Sequence, residues 1–288
     1  MRILLIGRTG QLGGDLMRNN PGHDLVVPSR EELDVLRVEQ IQQQLDRHRP
    51  DLVINCAAFH NVPRCEVEGE TAFRVNCIAM RDLAAECVRR GVRLLTFSSD
   101  YVFGGEKREP YAETDTPHPV QIYGISRLAG EHAVMAAAPR HAVVIRTCGL
   151  YGISGASSKG GNFVDGRVAD GRAGKTIEMG TDQTVAPTST DDLSKAVFDL
   201  AGHPGLEPGI YHLVNEGQCT WHEFTAAILE TMRLPANMVA VDRGGMSGNM
   251  RRPLYSVLAN NKARRLGVRL PAWRDALQRY LRRKYPAA

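Results

Sequence analysis

Short apolar runs recur through the first half of the chain and predict the strands of a buried sheet. Five of them are rich in Ile, Val and Leu and lack polar alternation, at residues 3–6, 25–27, 52–57, 94–97 and 142–145. Continuous apolar runs are typical of parallel strands covered on both faces, whereas half-exposed strands alternate between apolar and polar positions. The pattern therefore predicts a parallel sheet that lies between two layers of helices.

Helical spacing of apolar residues fills the intervals between these runs, around residues 12–18, 38–47, 72–90 and 123–137. Strands that alternate with helices in this way are typical of the β-α-β units of a doubly wound sheet. Gly91 stands where a glycine commonly ends a helix, just before the fourth run.

The pattern loosens after residue 148. Glycines between residues 152 and 174 interrupt it repeatedly, so we expect no long helix or strand in that stretch. Residues 191–200 predict one more helix, and residues 209–214 predict a strand that returns to the main sheet. Thr220 and Glu223 have the spacing of a capping box, which predicts that a helix begins there.

The turn after the first strand has the spacing of a dinucleotide-binding motif, Gly7-x-x-Gly10-x-x-Gly13. The first glycine permits a tight turn, the second lets the backbone approach a pyrophosphate, and the third allows close packing of helix on strand. The pyrophosphate then sits on the N–H groups at the start of the helix. Glycines mark many turns, but these follow a strand and open a helix, which favours a bound nicotinamide dinucleotide.

The end of the second strand bears on the choice between the two dinucleotides. NAD-selective sites usually place an acid about 20 residues beyond the glycines, where it binds the ribose 2′-hydroxyl. Here the chain has no acid from Val26 to Ser29, and Arg30 follows. Arg30, with help from Arg8, can pair with a 2′-phosphate. We therefore predict NADPH as the cofactor, with NADH as the alternative.

Composition narrows the class of protein. With 288 residues, 43% of them hydrophobic and 24% charged, the chain fits one large α/β domain with a smaller lobe. No apolar run approaches the roughly 18 residues of a membrane span, and the first run is too short for a signal-peptide core. The six cysteines include no C-x-x-C pair. We therefore predict no disulfide, no zinc site, no membrane partner and a cytoplasmic location.

Basic residues concentrate at the end of the chain. From Arg243 onward the chain holds 12 of its 36 Lys and Arg but only one of its 32 acidic residues, Asp275. Two interpretations stay open: a solvated helical face, or a site for an anionic ligand such as a diphosphate. No aromatic-rich basic module accompanies the charge, so a nucleic-acid partner is not expected.

Candidate catalytic residues lie at the end of the fourth predicted strand and in the helix that follows it. That strand places Ser99 at the carboxyl edge of the sheet, where ligands bind in open α/β folds. Tyr123 and Arg127 are four residues apart and share one face of the predicted helix. A phenol titrates at about pH 10, and a nearby fixed cation brings it toward the working range of a proton donor. Since a serine hydroxyl can orient a carbonyl, we predict Tyr123, Ser99 and Arg127 as catalytic residues.

Further motifs extend over nearly the whole chain. They lie at residues 7–13 (GRTGQLG), 33–34, 55–58 (NCAA), 75–76, 98–103 (SSDYVF), 123–124, 128–131, 162–164, 182–183, 187–188, 209–214 and 251–253 (RRP). With them the chain resembles the extended short-chain dehydrogenase/reductases, and most closely the dTDP-4-dehydrorhamnose reductase family of nucleotide-sugar enzymes. The resemblance implies a Rossmann-type doubly wound parallel sheet with a smaller C-terminal substrate-binding lobe.

The resemblance also implies roles for individual residues. Ser99 stands at the catalytic Ser or Thr position and Tyr123 at the catalytic tyrosine position. Cofactor contacts are implied, besides the glycines and Arg30, at Arg8, Thr9, Gln11, Leu12, Asp34, Val35, Ala57, Ala58, Phe59, Tyr123 and Arg127. Parts of a nucleotide-sugar pocket are implied at Tyr101, Asn162 and Arg252.

The same resemblance sets expectations for domains and assembly. Residues 1–147, joined by 187–215, are expected to form the dinucleotide-binding domain, and residues 148–186 and 216–288 the substrate-binding lobe. Some members of the family bind magnesium at a dimer contact, and Asp15 matches one acidic position there. This leaves a homodimer and a magnesium requirement open, while we assign no metal ligands.

Three departures from the family pattern bear on function. Arg127 replaces a lysine, so it keeps the positive charge but cannot release a proton. Gly149 stands where the family usually has an aromatic residue, which predicts a reshaped sugar-facing wall. Residues 59–64 replace a smaller, acid-containing segment, and they include His60, either a pocket acid or base or a plain loop histidine.

The leading hypothesis is an NADPH-dependent reductase that acts on a keto group of a dTDP-linked deoxysugar. The alternative is a protein of another functional class, a cofactor-binding regulatory subunit that has lost catalysis. The replacement of the family lysine by Arg127 is the feature that supports this alternative. A different nucleotide keto-sugar as substrate also stays open. An epimerase or dehydratase is less favoured, because no acid other than Asp100 lies beside Ser99 or Tyr123 in the sequence.

Overall fold

The described chain, residues 1–154 and 161–286 of a computed structural model, consists of a central parallel sheet, helices on both its faces and a smaller lobe. Its strands are β1 (Arg2–Ile6), β2 (Asp24–Val26), β3 (Leu52–Asn55), β4 (Arg93–Ser99), β5 (Ala142–Thr147), β6 (Leu150–Tyr151), β7 (Ile177–Gly180), β8 (Thr184–Val185), β9 (Thr188–Ser189), β10 (Gly209–His212), β11 (Cys219–Thr220), β12 (Met238–Val241), β13 (Met246–Ser247) and β14 (Met250–Arg251). Six of them form the main sheet in the order β10-β5-β4-β3-β1-β2, with every neighbouring pair parallel. The others pair two by two in short ribbons.

The helices are α1 (Gln11–Arg18), α2 (Val38–His48), α3 (Val62–Val67), α4 (Gly69–Phe73), α5 (Ala79–Arg89), α6 (Ile122–Ala137), α7 (Phe163–Arg172), α8 (Thr190–Gly202), α9 (Trp221–Thr231), α10 (Asn261–Arg265) and α11 (Trp273–Lys284). None of them, in the part of the chain that the structure describes, has the length and apolar character needed to cross a bilayer. The predicted fold class is confirmed: a doubly wound α/β sheet whose strand order reverses between β1 and β3.

Alternate residues of each strand pack into separate cores on the two faces of the sheet. Ile3 and Leu5 face α1 and α8, whereas Leu4 and Ile6 face α2, α5 and α6. Because both faces are covered, the strand residues are apolar without alternation, as the sequence predicted. The predicted helix at 191–200 and the predicted strand at 209–214 also form, as α8 and as β10 beside β5.

The helix predicted over residues 72–90 forms, but a π-helical turn that the sequence did not predict lies inside it. The structure has α4, a π-helical turn at Arg74–Ile78 and then α5. The wider turn holds the buried Asn76 where its amide nitrogen donates to the Phe59 carbonyl and to the Ser126 hydroxyl, at 3.0 Å each. Turns of this kind are frequent at functional sites. The helix then ends as predicted, with Gly91 at a φ of 67°.

The expectation of no long helix between residues 152 and 174 is wrong. The 10-residue helix α7 forms there despite two internal glycines, and positions 155–160 lie outside the described residues. Asn162 caps α7 by accepting from the Asp165 N–H (3.0 Å), and Val164 and Val168 are buried in the core of the smaller lobe. Tertiary packing therefore outweighs the low helix propensity of glycine. The capping box of Thr220 and Glu223 at the start of α9 is confirmed.

The solvated-face interpretation describes most of the basic C-terminal segment, because eight of its twelve Lys and Arg side chains are exposed and the other four are half-buried. Along α11, Arg279 pairs with Asp192 and Asp275 (2.8 Å each), and Lys284 pairs with Asp165 (2.6 Å). The pairs with Asp192 and Asp165 attach the last helix to the fold. Arg252 differs, since it lines the cavity described below.

A buried ion pair attaches α6 to β5. Arg146 donates from Nε to Glu131 Oε1 (2.9 Å) and from Nη2 to Glu131 Oε2 (2.6 Å), and both side chains are at most 4% exposed. His212 on β10 continues the network, with Nε2 3.4 Å from Arg146 Nη1 and Nδ1 3.1 Å from the Tyr111 carbonyl. This arrangement suits a neutral imidazole that donates from Nδ1 and accepts at Nε2.

His212 should make the protein less stable in mild acid. Burial, reinforced by the nearby charge of Arg146, lowers the pKa of His212 from 6.5 to about 3. Between these values the unfolded chain binds a proton that the folded protein does not, so the free energy of unfolding decreases as the pH falls. The expected slope from this group is up to about 1.4 kcal/mol per pH unit. We measure the free energy of unfolding by urea titration at several pH values for the wild type and for His212→Asn. Between pH 6.5 and pH 3 this free energy should decrease less steeply with falling pH in the variant. Equal slopes would contradict the prediction.

Candidate active site

A cavity of about 530 Å³ opens at the carboxyl edge of the sheet, at the point where the strand order reverses. Ligands of open α/β sheets bind at this position. The glycine turn, the ends of β3, β4 and β5, the start of α6 and the smaller lobe all contribute to its lining. It brings together Gly10, Gln11, Leu12, Gly13, Ala58, Ser99, Tyr101, Tyr123, Arg127, Asn162 and Arg252.

The glycine turn has the geometry that a dinucleotide needs. Gly7 adopts a φ of 91°, which disfavours residues with a side chain. A Cβ on Gly13 would lie 2.2 Å from the Gly7 carbonyl oxygen, so helix and strand approach this closely only with glycine at position 13. Gly10 caps α1 without a side-chain hydrogen bond. The first N–H groups of α1 therefore remain available at the cavity, and these residues fit a pyrophosphate.

The remaining predicted cofactor residues are divided between the cavity and its surroundings. Ala58 lines the cavity, whereas Val35 belongs to the hydrophobic core beneath α2. Phe59 is held by Asn76, whose Oδ1 accepts from the Phe59 N–H (2.9 Å) and whose Nδ2 donates to its carbonyl. Asn76 thus fixes the loop after β3. Sequence analysis placed Asn76 in a family motif but did not assign it this role. The only sequence feature that points to the role is a polar amide in a largely apolar helical segment.

Arg30 and Asp34 lie outside the cavity lining. The Arg30 side chain is 84% exposed, and its Nε is 3.9 Å from Asp34 Oδ2. Arg8 and Thr9 are also exposed, at the tip of the glycine turn. An exposed arginine with one distant partner is free to change rotamer, so its position is compatible with binding a phosphate from solvent.

The strand β4 ends at Ser99 and brings its hydroxyl next to Tyr123 and Asp100. Ser99 Oγ donates to Asp100 Oδ1 (2.9 Å) and accepts from the Tyr101 N–H (3.2 Å). Burial raises the pKa of Tyr123, while the charge of Arg127 and a hydrogen bond with Ser99 act in the opposite direction. The phenol is therefore protonated at neutral pH, as a proton donor must be.

Arg127 lies one helical turn beyond Tyr123 and is 5% exposed. Its guanidinium donates from Nη2 to the Phe97 carbonyl and from Nη1 to Asn76 Oδ1 (3.4 Å). The group is thus attached to the end of β4 and to the π-helical turn. Since an arginine does not deprotonate in proteins, Arg127 provides a fixed positive charge beside Tyr123.

Asp100 lines the cavity beside Ser99, although sequence reasoning predicted no role for it. It is buried, and its Oδ2 accepts from the Ser256 hydroxyl (2.6 Å) while Oδ1 accepts from Ser99. Burial raises its pKa, although hydrogen bonds from Ser256, Cys148 and Ser99 oppose the shift. A protonated Asp100 can donate to Ser99, which frees the Ser99 proton for a substrate carbonyl.

The side chains predicted for the sugar pocket differ in whether they are available to contact a substrate. The Tyr101 ring packs edge-on against the Tyr123 ring, with the ring centroids 6.1 Å apart. Burial raises the pKa of the Tyr101 phenol, and the charge of Arg252 acts in the opposite direction. Asn162 lines the cavity, but its Nδ2 donates to the Gly152 carbonyl and to Tyr280 Oη at 2.8 Å each. With its oxygen capping α7, the Asn162 side chain is largely engaged in holding the lobe together. His60 also lines the cavity, with Nδ1 3.4 Å from the Ala58 carbonyl.

Asp15 does not fit a magnesium site. Its side chain is fully buried, and its oxygens pair with Arg18 Nη1 (2.6 Å) and with the Thr190 hydroxyl (2.6 Å). Burial also raises the pKa of Asp15. Mg²⁺ keeps several waters and prefers accessible carboxylates, so the environment of Asp15 does not favour it. Within residues 1–154 and 161–286, no group of three His, Cys, Asp or Glu side chains could hold a metal ion.

Comparison with known proteins agrees with this architecture. The family model described as "RmlD substrate binding domain" matches residues 1–285. The chain is 33% identical to the spore coat polysaccharide biosynthesis protein SpsK of Bacillus subtilis, over 99% of both chains. It is also 33% identical to a dTDP-4-dehydrorhamnose reductase of Burkholderia thailandensis, over 96% of this chain and 97% of the other.

A solved structure supports the same assignment. The dTDP-4-dehydrorhamnose reductase of Bacillus anthracis, determined in complex with NADP, superimposes with a TM-score of 0.89 at 33% identity and covers 97% of each chain. The agreement extends over both the sheet and the smaller lobe. The chain therefore belongs to the dTDP-4-dehydrorhamnose reductase family of extended short-chain dehydrogenase/reductases.

Proposed function

We propose that this protein reduces a keto carbon of a dTDP-linked deoxysugar, with NADPH as the hydride donor. The observation that carries the proposal is one cavity that joins the glycine turn, the Ser99–Tyr123 pair and the aromatic smaller lobe. The family relatives named as reductases of such sugars support it. The protein is accordingly an oxidoreductase of nucleotide-sugar biosynthesis.

The chain's own residues supply positioning and the proton. A nicotinamide dinucleotide, when bound, provides the hydride. Tyr123 donates its proton to the oxygen that develops negative charge, and Ser99 donates a hydrogen bond to the same oxygen. Arg127 then stabilises the phenolate that remains, because its charge is fixed beside Tyr123.

We assign cofactor binding to the glycine turn from Gly7 to Gly13 together with Ala57, Ala58, Phe59, Asp34 and the backbone at Val35. Arg30 and Arg8 are proposed to select NADPH by pairing with the 2′-phosphate, since both are exposed and free to change rotamer. The Bacillus anthracis relative was determined with NADP, which supports this choice. Residues 1–147 with 187–215 then hold the cofactor, and the rest of the chain holds the sugar nucleotide. A homodimer and a cytoplasmic location stay predictions.

The test is turnover with a panel of sugars. Purified protein is mixed with NADPH and each of several dTDP-4-keto-6-deoxysugars, and the loss of NADPH absorbance is followed. We expect oxidation of NADPH with at least one of them. Tight NADPH binding without turnover of any such sugar would overturn the proposal and favour the regulatory alternative.

Arg127 variants separate a working site from a decayed one. We expect Arg127→Met to lower kcat about 10- to 100-fold, because it removes the charge beside Tyr123 and leaves buried acceptors unpaired. Arg127→Lys should also lose activity, since an ammonium lacks the fork that reaches both Phe97 and Asn76. The alkaline limb of the pH profile should move to higher pH in Arg127→Met. A large gain in rate with lysine would instead indicate a decayed reductase.

A further inference from the structure

One aromatic side chain of the smaller lobe, Trp221, forms part of the cavity wall. Trp221 is the first residue of α9 and lies directly after the Thr220 cap, so the capping box fixes its backbone. Its ring packs on Phe163 with centroids 4.7 Å apart, and both rings line the cavity. The indole is therefore held on one side and faces the cavity on the other.

Gly149 is the backbone position against which this ring packs. A Cβ on Gly149 would lie 3.4 Å from Trp221 Cη2 and 3.3 Å from Pro187 Cα. A methyl group would already be in close contact, and a larger side chain would have to displace Trp221 or enter the cavity. Gly149 also has a φ of 52°, a conformation that disfavours residues with a side chain.

The neighbours of Gly149 locate this contact within the site. Gly149 directly follows Cys148, whose thiol hydrogen-bonds to Asp100, and Asp100 binds Ser99. Trp221 also packs against the hydrophobic cluster that contains Cys148, so the indole reaches the part of the cavity wall that is linked through Asp100 to Ser99. A substrate ring presented to the Ser99 hydroxyl would pass beside the indole.

We propose that Trp221 is the wall against which the pyranose ring of the substrate packs, and that Gly149 provides the space for it. The two residues together then determine which keto-sugar is accepted. The inference rests on the proposed function and adds the specificity-determining pair. An indole buries a large apolar area with little loss of conformational entropy, and the C–H face of a pyranose offers a matching apolar surface.

Fluorescence gives a test that does not require turnover. The chain has two tryptophans, so Trp273→Phe leaves Trp221 as the only reporter. We expect dTDP-rhamnose to change its emission and dTDP alone to leave it nearly unchanged. Trp273 is buried in the lobe core, so its substitution could disturb folding. The difference in emission change between the wild type and Trp221→Phe therefore gives the same information with Trp273 intact. An equal response to dTDP alone would mean that the ring stacks on the base, and would overturn the proposal.

Exchange of the two residues tests selectivity. We expect Trp221→Ala to weaken dTDP-sugar binding about tenfold while NADPH binding is unchanged. Gly149→Trp should also weaken it, since two indoles cannot share the space, and its melting temperature is measured alongside because of the backbone conformation. The double variant should bind the sugar better than Gly149→Trp alone.

An unchanged dissociation constant in Trp221→Ala, or losses that multiply in the double variant, would contradict the pairing. Binding of dTDP-rhamnose is measured directly, so these outcomes stand whether or not any keto-sugar is reduced.

Discussion

Tyr123→Phe should lower kcat about 10²- to 10⁴-fold and leave NADPH binding unchanged. The phenol is buried beside Ser99 and Arg127, and its raised pKa keeps the proton on the oxygen until negative charge develops on the substrate. Phenylalanine retains the ring and its contact with Tyr101, so the cavity keeps its shape. The measurement is single-turnover reduction with saturating NADPH, compared with the NADPH dissociation constant.

Tyr101→Phe is the matched control for this variant. It removes a phenol from the same cavity at a ring that lies 6.1 Å from Tyr123, without removing the proposed acid. We expect it to change mainly the KM for the sugar, because the variant removes a cavity hydroxyl that is proposed to contact the sugar nucleotide and not to donate the proton. If Tyr123→Phe kept kcat within a few fold of wild type, the proton would have to come from elsewhere, and the assignment would fail.

Arg146→Met should destabilise the protein by about 3–5 kcal/mol. The substitution leaves the Glu131 carboxylate buried without its bidentate partner, and the desolvation cost of that charge is then uncompensated. The loss also removes the ion pair between β5 and α6, the helix that positions both Tyr123 and Arg127. Urea unfolding at neutral pH measures the change.

The double variant Glu131→Leu with Arg146→Met isolates the cause. It removes both charges together and replaces them by apolar side chains, so we expect it to be much closer to wild type than Arg146→Met alone. If single and double variants were equally unstable, lost packing rather than the unpaired charge would explain the effect, and the prediction would be wrong.

Local sequence signals are sufficient to predict much of the site. The turn from Gly7 to Gly13, the strand that ends at Ser99 and the helix that carries Tyr123 and Arg127 each follow from spacing within a short segment. In a doubly wound sheet the carboxyl ends of the strands meet at one edge, so these segments had to converge. The interrupted helix around Asn76 did not follow, because its cause is a set of hydrogen bonds to Phe59 and Ser126.

The sequence by itself determined the sheet, its two helical layers, the glycine turn and the meeting of Ser99, Tyr123 and Arg127 at one edge of the sheet. Periodicity and glycine geometry act within a few residues of chain, which is why they could be recognised in one dimension. Only the tertiary structure decided which distant groups the side chains around the cavity contact. Arg127 is bound to the Phe97 carbonyl, the Asn162 amide is committed to holding the lobe, and Trp221 fills the space in front of Gly149. Each of these contacts joins residues far apart in the chain, and no local pattern specifies which distant side chain fills a given space.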